Sequence, residues 1–388
     1  MLYRKFGKTN VDVSQLGFGC MRFPLLSDNP SDIDTARATK MLHYAIDNGL
    51  NYIDTAFPYH GKSFSSPNGG ASEPFIGKAL ADGYRDKINV VTKLPCWVTH
   101  SRKDMDDLLN LQLKRLKTDY IDFYLVHALN KHTWAKMLEY DLPDFLDCAV
   151  KDGRVKHVGF SFHDDLATFK KIVDARAWEF CMIQYNYIDQ NFQAGEHGLQ
   201  YAYDKGLGIA VMEPLRGGAL VEMLPEEVKK EFEESNFSRT PAEWALRWLY
   251  NDERISVVLS GMSNIEQVKQ NISVASNAKA NAFSQDEIQL IKRVQNKFLN
   301  RIKVNCTSCG YCLPCPFGVN IPRVFQIYNS YFLLDDSAKD AAISQYNRFL
   351  SNSNNAFACT RCTKCLEKCP QQIPIDKHMI EINKLMKT

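Results

Sequence analysis

Eight short β-rich runs, at 16–19, 51–54, 88–93, 120–126, 155–160, 181–185, 208–212 and 255–260, recur along roughly the first 280 residues, with amphipathic stretches of helical period between them. Strands joined by helix-length connections such as 35–48, 102–116 or 241–250 have to run parallel, because each crossover carries the chain back to the same end of the sheet. Eight such units suit a closed α/β barrel, a (β/α)8 TIM barrel, better than an open doubly wound sheet. The first β-to-α turn, LGFGCMRFP, lacks the third glycine of G-x-G-x-x-G, which also weighs against the open sheet. Ahead of the first run, LYRKFGKTNVDVSQL reads as a hairpin turning at Gly7 to Asn10 and placed to plug the barrel's lower end.

The remainder of the chain is dominated by cysteine. Eight of the twelve cysteines fall between Cys306 and Cys369. CTRCTKCLEKCP carries Cys359, Cys362, Cys365 and Cys369 in the spacing C-x2-C-x2-C-x3-C-P, which wraps three thiolates round one face of an iron–sulfur cubane and sends the fourth to a partner cluster. CTSCGYCLPCP carries Cys306, Cys309, Cys312 and Cys315, its last gap one residue shorter. Disulfides belong to oxidising compartments and zinc needs only four ligands, so two [4Fe–4S] clusters are expected. Crosswise ligation gives Cys306, Cys309, Cys312 and Cys369 to one and Cys359, Cys362, Cys365 and Cys315 to the other. The helical character of IPRVFQIYNSYFLL and DAAISQYNRFL makes this an α-helical ferredoxin-like domain. The expected division is a barrel at 1–283, a connecting helix at 284–300 and a two-cluster domain at 301–388.

With 45% hydrophobic and 24% charged residues the composition is that of a globular protein. A net charge of +2 with no long basic run points away from nucleic acid. No signal-like or membrane-length apolar stretch is evident, so a cytoplasmic protein without a membrane partner is expected.

Three polar residues stand at the ends of successive strand runs, where such barrels carry their chemistry: Asp54, Lys93 and His127, with Tyr59 shortly after the first. A lysine pointing inward at a strand end needs an anion, and Asp54 is available. These residues, with NYIDTAFPYHG, ASEPFIGKAL, VVTKL, DYIDFYLVHAL, VKHVGFS and MEPLRGGAL in order, resemble the aldo-keto reductase family as far as about residue 283. The resemblance implies hydride transfer from NADP(H) or NAD(H) to a carbonyl carbon. Tyr59 would donate the proton, Lys93 held by Asp54 would acidify the phenol, and His127 would orient the carbonyl oxygen.

It also implies cofactor contacts. Ser161 and Gln184 would hold the carboxamide, Met212 would pack on the nicotinamide, and Gly217 and Gly218 would admit the pyrophosphate. Phe162 stands where the family usually has asparagine. Ser263, Asn264, Gln267, Gln270 and Asn271 would clasp the adenosine end; Gln267 occupies the place of an arginine that grips a 2′-phosphate, which leaves the choice of dinucleotide open. The insertion KSFSSPNG after Tyr59 is placed to meet substrate or the cluster domain.

The leading expectation is a reductase of a small carbonyl substrate, an aldehyde, ketone or sugar, whose cluster domain covers the barrel or couples to it electronically. The alternatives are a ferredoxin-linked enzyme in which the clusters exchange electrons with an external carrier, and a nicotinamide-sensing scaffold without catalysis.

Overall fold

The structure, a computed structural model, describes residues 1–63, 66–306, 310–369 and 371–386. A two-stranded antiparallel hairpin, β1 (Tyr3–Lys5) and β2 (Asp12–Ser14), precedes eight parallel strands. These are β3 (Leu16–Gly19), β4 (Tyr52–Asp54), β5 (Asn89–Leu94), β6 (Ile121–Leu129), β7 (Val155–Phe162), β8 (Phe180–Gln184), β9 (Gly208–Met212) and β10 (Val257–Ser260). They pair in chain order, and β10 closes on β3 with Val258 opposite Leu16, completing the expected barrel.

The intervening helices are α1 (Thr35–Asp47), α2 (Ser72–Ala79), α3 (Arg102–Leu116), α4 (Lys131–Glu139), α5 (Leu142–Lys151), α6 (Leu166–Asp174), α7 (Gly195–Asp204), α8 (Ala219–Glu222), α9 (Glu226–Glu233), α10 (Pro241–Tyr250) and α11 (Ile265–Asn277). Local chemistry fixes their starts: the side chains of Ser101, Asp165 and Asn264 accept hydrogen bonds from the first turns of α3, α6 and α11.

The hairpin plugs the barrel as its sequence suggests. Phe6 is fully buried, its ring 5.0 Å from Phe123, 5.1 Å from Phe180 and 5.7 Å from Tyr52, all near the starts of their strands. Burying that ring is worth about 2 kcal/mol. Gly7 makes the approach feasible: its φ is +56°, and a Cβ there would lie 2.1 Å from the Gly208 nitrogen.

Two compact units emerge, residues 1–217 with 243–282, and residues 218–242 with 283–388. The second is helical among its described residues, with α8 and α9 joined by α12 (Gln285–Leu299), α13 (Ile321–Leu333), α14 (Lys339–Phe349) and α15 (Ile375–Leu385). A reciprocal Ser284–Glu287 capping box starts α12. Residues 218–242 were expected inside the barrel's span, but their carboxylates face cations of α12 and the turn after it: Glu231 meets Arg293 and Lys297, and Glu227 meets Arg301 at 2.6 Å. The core of this unit joins Ile321, Val324, Phe325, Ile375, Met379 and Ile382. No helix among the described residues is long and apolar enough to cross a membrane.

Candidate functional site

Parallel strands bring their last residues to one rim, and the expected residues meet there. Asp54 ends β4, Lys93 lies one residue from the end of β5, and Gln184 and Met212 end β8 and β9 in direct register. Lys93 Nζ donates to Asp54 Oδ1 at 2.6 Å, to the Thr55 carbonyl at 2.7 Å and to Tyr59 Oη at 3.2 Å. Asp54 and Lys93 are buried, so neither charge is tolerable without the other. Burial alone would discharge the lysine, but Asp54 and Tyr59 outweigh it and hold the ammonium above its ordinary pKa. Burial lifts the Asp54 carboxyl, with Lys93 opposing; its Oδ2 has no partner among the described residues.

Tyr59 departs from expectation in one respect. Burial raises its pKa above the usual phenol value, and Lys93 offsets only part of the rise. The phenol is therefore a protonated donor at neutral pH, loosened by the cation relative to burial alone but not acidified towards neutrality.

His127 reaches the rim through a local irregularity. The β6–β7 register shifts between Val126 and Leu129, and Ala128 takes a left-handed φ of 54°. Such a bulge re-aims the side chain beside it. The imidazole sits 4.9 Å from the Trp97 ring and 6.2 Å from that of Tyr59, between centroids. Burial first, then the Lys93 charge, push its pKa well below the usual histidine value, so it is neutral; Nδ1 has no partner among the described residues. A neutral imidazole next to a phenol and an ammonium suits a polar oxygen atom placed between them.

Ser161 Oγ accepts from the Ala128 nitrogen at 2.7 Å and ties β7 to the bulge. Phe162 packs outward on Phe169, centroids 5.0 Å apart, so it is part of the core behind the rim. Gln184 Nε2 donates to Asp189 Oδ2 at 3.0 Å, which commits one of its two amide hydrogens. Asp189 also takes Asn186 Nδ2 at 2.8 Å and Arg216 Nε at 3.2 Å, anchoring the loop of Gly217 and Gly218, whose φ values are +69° and +98°. At the start of α11, Asn264 caps the helix, Gln267 Oε1 accepts from the Ser263 nitrogen at 2.8 Å, and buried Asn271 donates to Ser260 Oγ at 3.0 Å. Gln270 lies on the same helix. The first turn of this helix carries one acidic residue, Glu266, and no cation, so an anion there would meet backbone N–H groups rather than a charged side chain.

Within the second unit the cysteines separate into two sets. Cys315, Cys359, Cys362 and Cys365 line a cavity of about 370 Å³ that also touches Met379. Cys306, Cys312 and Cys369 line another of about 310 Å³, against Phe325 and Ile373. Cys309 lies outside the described residues. No three of the described side chains converge as ligands of one ion would; they stand around cavity walls. Arg361 and Thr363, both at φ 59°, give the intervening turns a left-handed backbone. Alternating handedness of this kind points N–H groups into a concavity suited to an anionic cluster. Burial raises the Cys359 and Cys365 thiols, and the neighbouring cysteines of the first set raise them further. The donor set and the apolar backing fit a [4Fe–4S] cubane in each cavity.

Comparison with known proteins decides the family. The Aldo/keto reductase family profile matches residues 15–296 and that of a 4Fe-4S dicluster domain matches residues 305–374. The chain belongs to the aldo/keto reductase family. Among its relatives, the uncharacterized oxidoreductase YrpG of Bacillus subtilis (strain 168) is 30% identical over 238 residues, 57% of this chain and 68% of that one. L-glyceraldehyde 3-phosphate reductase of Escherichia coli O157:H7 is 25% identical over 335 residues, covering 75% of this chain and 91% of its own. Among solved structures, aldo-keto reductase AKR11C1 from Bacillus halodurans in its holo form superposes with a TM-score of 0.62 at 26% identity, over 76% of this chain and 96% of that one. This aldo/keto reductase is accordingly an oxidoreductase with a ferredoxin-type 4Fe–4S domain.

The candidate site contains residues that sequence reasoning missed. Arg22, just past β3, crosses to the Gly217 loop: its Nη2 would lie 3.0 Å from a Cβ on Gly217, and its Cδ 3.0 Å from one on Gly261. It makes no ion pair among the described residues, so a free guanidinium faces the loop expected to receive a pyrophosphate. Behind the tetrad, fully buried Glu73 accepts from Thr92 Oγ1 at 2.7 Å, Gln112 Nε2 at 2.8 Å and Arg115 Nε at 2.8 Å. Arg115 also donates to the carbonyls of Asn68 and Gly70. One ion pair thus fastens the loop that carries Tyr59 to the strand that carries Lys93. Gly70 is required there, since a Cβ would lie 2.0 Å from the Tyr59 carbonyl oxygen. The insertion at 62–69 begins and ends on this loop, with 64 and 65 outside the described residues.

Proposed function

We propose that the barrel reduces a small carbonyl compound with NADPH or NADH, with Tyr59 as the proton donor. The observation that carries this reading is the contact of Lys93 Nζ with both Asp54 and Tyr59 beside a neutral His127. A bound dihydronicotinamide would supply the hydride to the carbonyl carbon. Tyr59, protonated at neutral pH, would pass its proton to the carbonyl oxygen as charge develops there, and the Lys93 ammonium would stabilise the phenolate left behind. His127 would donate a hydrogen bond that fixes that oxygen, and Trp97 beside it supports an apolar wall for the substrate. Ser161 and Gln184 would take the carboxamide, the latter through its amide oxygen and the amide hydrogen that Asp189 leaves free. Met212 would back the nicotinamide, while Arg22, Gly217 and Gly218 would receive the pyrophosphate. Ser263, Asn264, Gln267, Gln270 and Asn271 would flank the adenosine end. With Gln267 turned onto Ser263, nothing at that position selects for a 2′-phosphate, so both dinucleotides belong in the assay.

Tyr59→Phe is the test. On a panel of aldehydes, ketones and glyceraldehyde 3-phosphate, it is expected to lower kcat by a factor on the order of 10² to 10⁴ while dinucleotide binding persists. Undiminished turnover would overturn the reading, and binding without turnover in the unaltered protein would return it to a nicotinamide-sensing scaffold.

For the second unit we assign one cluster to Cys306, Cys309, Cys312 and Cys369 and the other to Cys315, Cys359, Cys362 and Cys365, on the strength of the two separate cavities. A second reading follows: this unit accepts single electrons from an external carrier. Its test is reduction of the clusters by a low-potential viologen, followed by their optical bleaching; clusters that stay oxidised would refute it.

A further inference from the structure

Beside the cavity of Cys315, Cys359, Cys362 and Cys365 lies an open groove of about 700 Å³. Cys359, Arg361 and Met379 line both, so a body seated in the groove is separated from the cysteine cage by one layer of side chains. Phe357, Met379 and Ile380 form its apolar part, with Phe357 63% and Ile380 37% exposed.

The groove's charge is of one sign. Arg361 and Lys384 are the charged residues lining it, and neither makes an ion pair or side-chain hydrogen bond among the described residues. The acidic residue next to Ile380, Glu381, is turned away and accepts from Tyr328 Oη at 3.3 Å and pairs with His378 at 3.1 Å. Across 357–386 five lysines and arginines face three carboxylates, and Lys364, Lys368 and Lys377 are exposed as well. Small, apolar-centred patches with a charged rim are typical of short-lived electron-transfer encounters, in which charge steers approach and contact area stays low.

We infer that this groove is the docking site of an acidic one-electron carrier of the ferredoxin type. The inference rests on the reading of the second unit as an electron acceptor and adds the place and the chemistry of the partner. In the encounter one electron leaves the carrier's reduced cluster and enters the cluster held by Cys315, Cys359, Cys362 and Cys365; the first is oxidised, the second reduced, and no bond or proton moves. The apolar part excludes water from the contact, while Arg361 and Lys384 meet carboxylates on the partner.

The test uses the full holoprotein and a purified acidic bacterial 2[4Fe–4S] ferredoxin. Binding of the oxidised carrier is measured by calorimetry at low and high salt, and cluster reduction is followed separately by stopped flow with reduced carrier and with reduced methyl viologen. Lys384→Glu is expected to weaken carrier binding and slow carrier-driven reduction by about five- to tenfold, while viologen-driven reduction and iron content stay unchanged. Ile380→Ser, which leaves charge intact, is expected to weaken binding while its salt dependence persists. Carrier binding insensitive to salt and to both substitutions would overturn the docking site, even where viologen still reduces the clusters. If viologen also fails to reduce them, the electron-acceptor reading itself falls, and the docking site with it.

Discussion

Replacing Asp54 by asparagine isolates the contact on which the proposed reduction depends. The substitution keeps size and removes the anion 2.6 Å from Lys93 Nζ, leaving a buried ammonium with neutral acceptors alone: the amide oxygen, the Thr55 carbonyl and Tyr59. The folded variant has two choices: keep an unpaired buried charge, or release the proton. The second sets a ceiling on the cost. Discharging a lysine with an ordinary pKa of about 10.4 takes about 4.6 kcal/mol at pH 7 and about 1.9 kcal/mol at pH 9, at about 1.36 kcal/mol per unit. The ceiling at pH 7 falls in the range of about 3–5 kcal/mol for breaking one side of a buried pair. The sign is distinctive. In the parent the Lys93 pKa is raised, so its contribution is intact below about pH 10 and lost only above. In Asp54→Asn the folded pKa is depressed, the unfolded chain binds the extra proton, and stability climbs with pH between 7 and 9. All five tryptophans, from Trp97 to Trp248, lie in the barrel unit, so urea unfolding followed by their fluorescence reports on that unit. Asp54→Asn is expected to lose most stability at pH 7, to regain about 2.7 kcal/mol relative to the parent by pH 9, and to be largely rescued by adding Lys93→Met. A loss independent of pH, or a double variant no more stable than the single, would refute a buried charge pair.

Three further outcomes follow from the same geometry. Arg22→Ala is expected to weaken binding of both dinucleotides by about tenfold or more, the worth of a charge-assisted contact to phosphate, with the unfolding midpoint unchanged; fluorescence titration measures it. Cys315→Ser and Cys365→Ser are expected to remove the same cluster and Cys306→Ser and Cys369→Ser the other, each leaving about four irons and four sulfides by chemical assay, and paramagnetic resonance of the reduced proteins distinguishes the two residual clusters. His127, held neutral by burial, leaves the unfolded chain with one more proton below about pH 6.5, so barrel stability falls by about 2 kcal/mol from this group between pH 7 and pH 5; His127→Gln is expected to shrink that decline.

How far these features were legible depends on whether their cause is local. Strand runs announce themselves by composition and spacing, so all eight barrel strands and the plugging hairpin are readable from the sequence, whereas the part played by the Phe6 ring is not. The cysteine spacing likewise marked the region that the 4Fe-4S dicluster domain profile matches, residues 305–374. Arg22 was invisible because its neighbours, Gly217 and Gly261, are remote in the chain and meet only when β10 closes against β3. The union of residues 218–242 with α12 was hidden for the same reason, since a glutamate in one surface helix carries no mark of the arginine it will meet. The Tyr59 phenol is the most instructive case. A lysine at the neighbouring strand end argues for a lowered pKa, and that argument is correct as far as it goes, but the opposing burial belongs to the whole rim and outweighs it. In the reduction proposed above, a phenol kept protonated in this way would give up its proton only as negative charge develops on the substrate oxygen. The stabilisation from Lys93 would then fall on the phenolate being formed, in the transition state rather than the ground state, where it would accelerate the reaction.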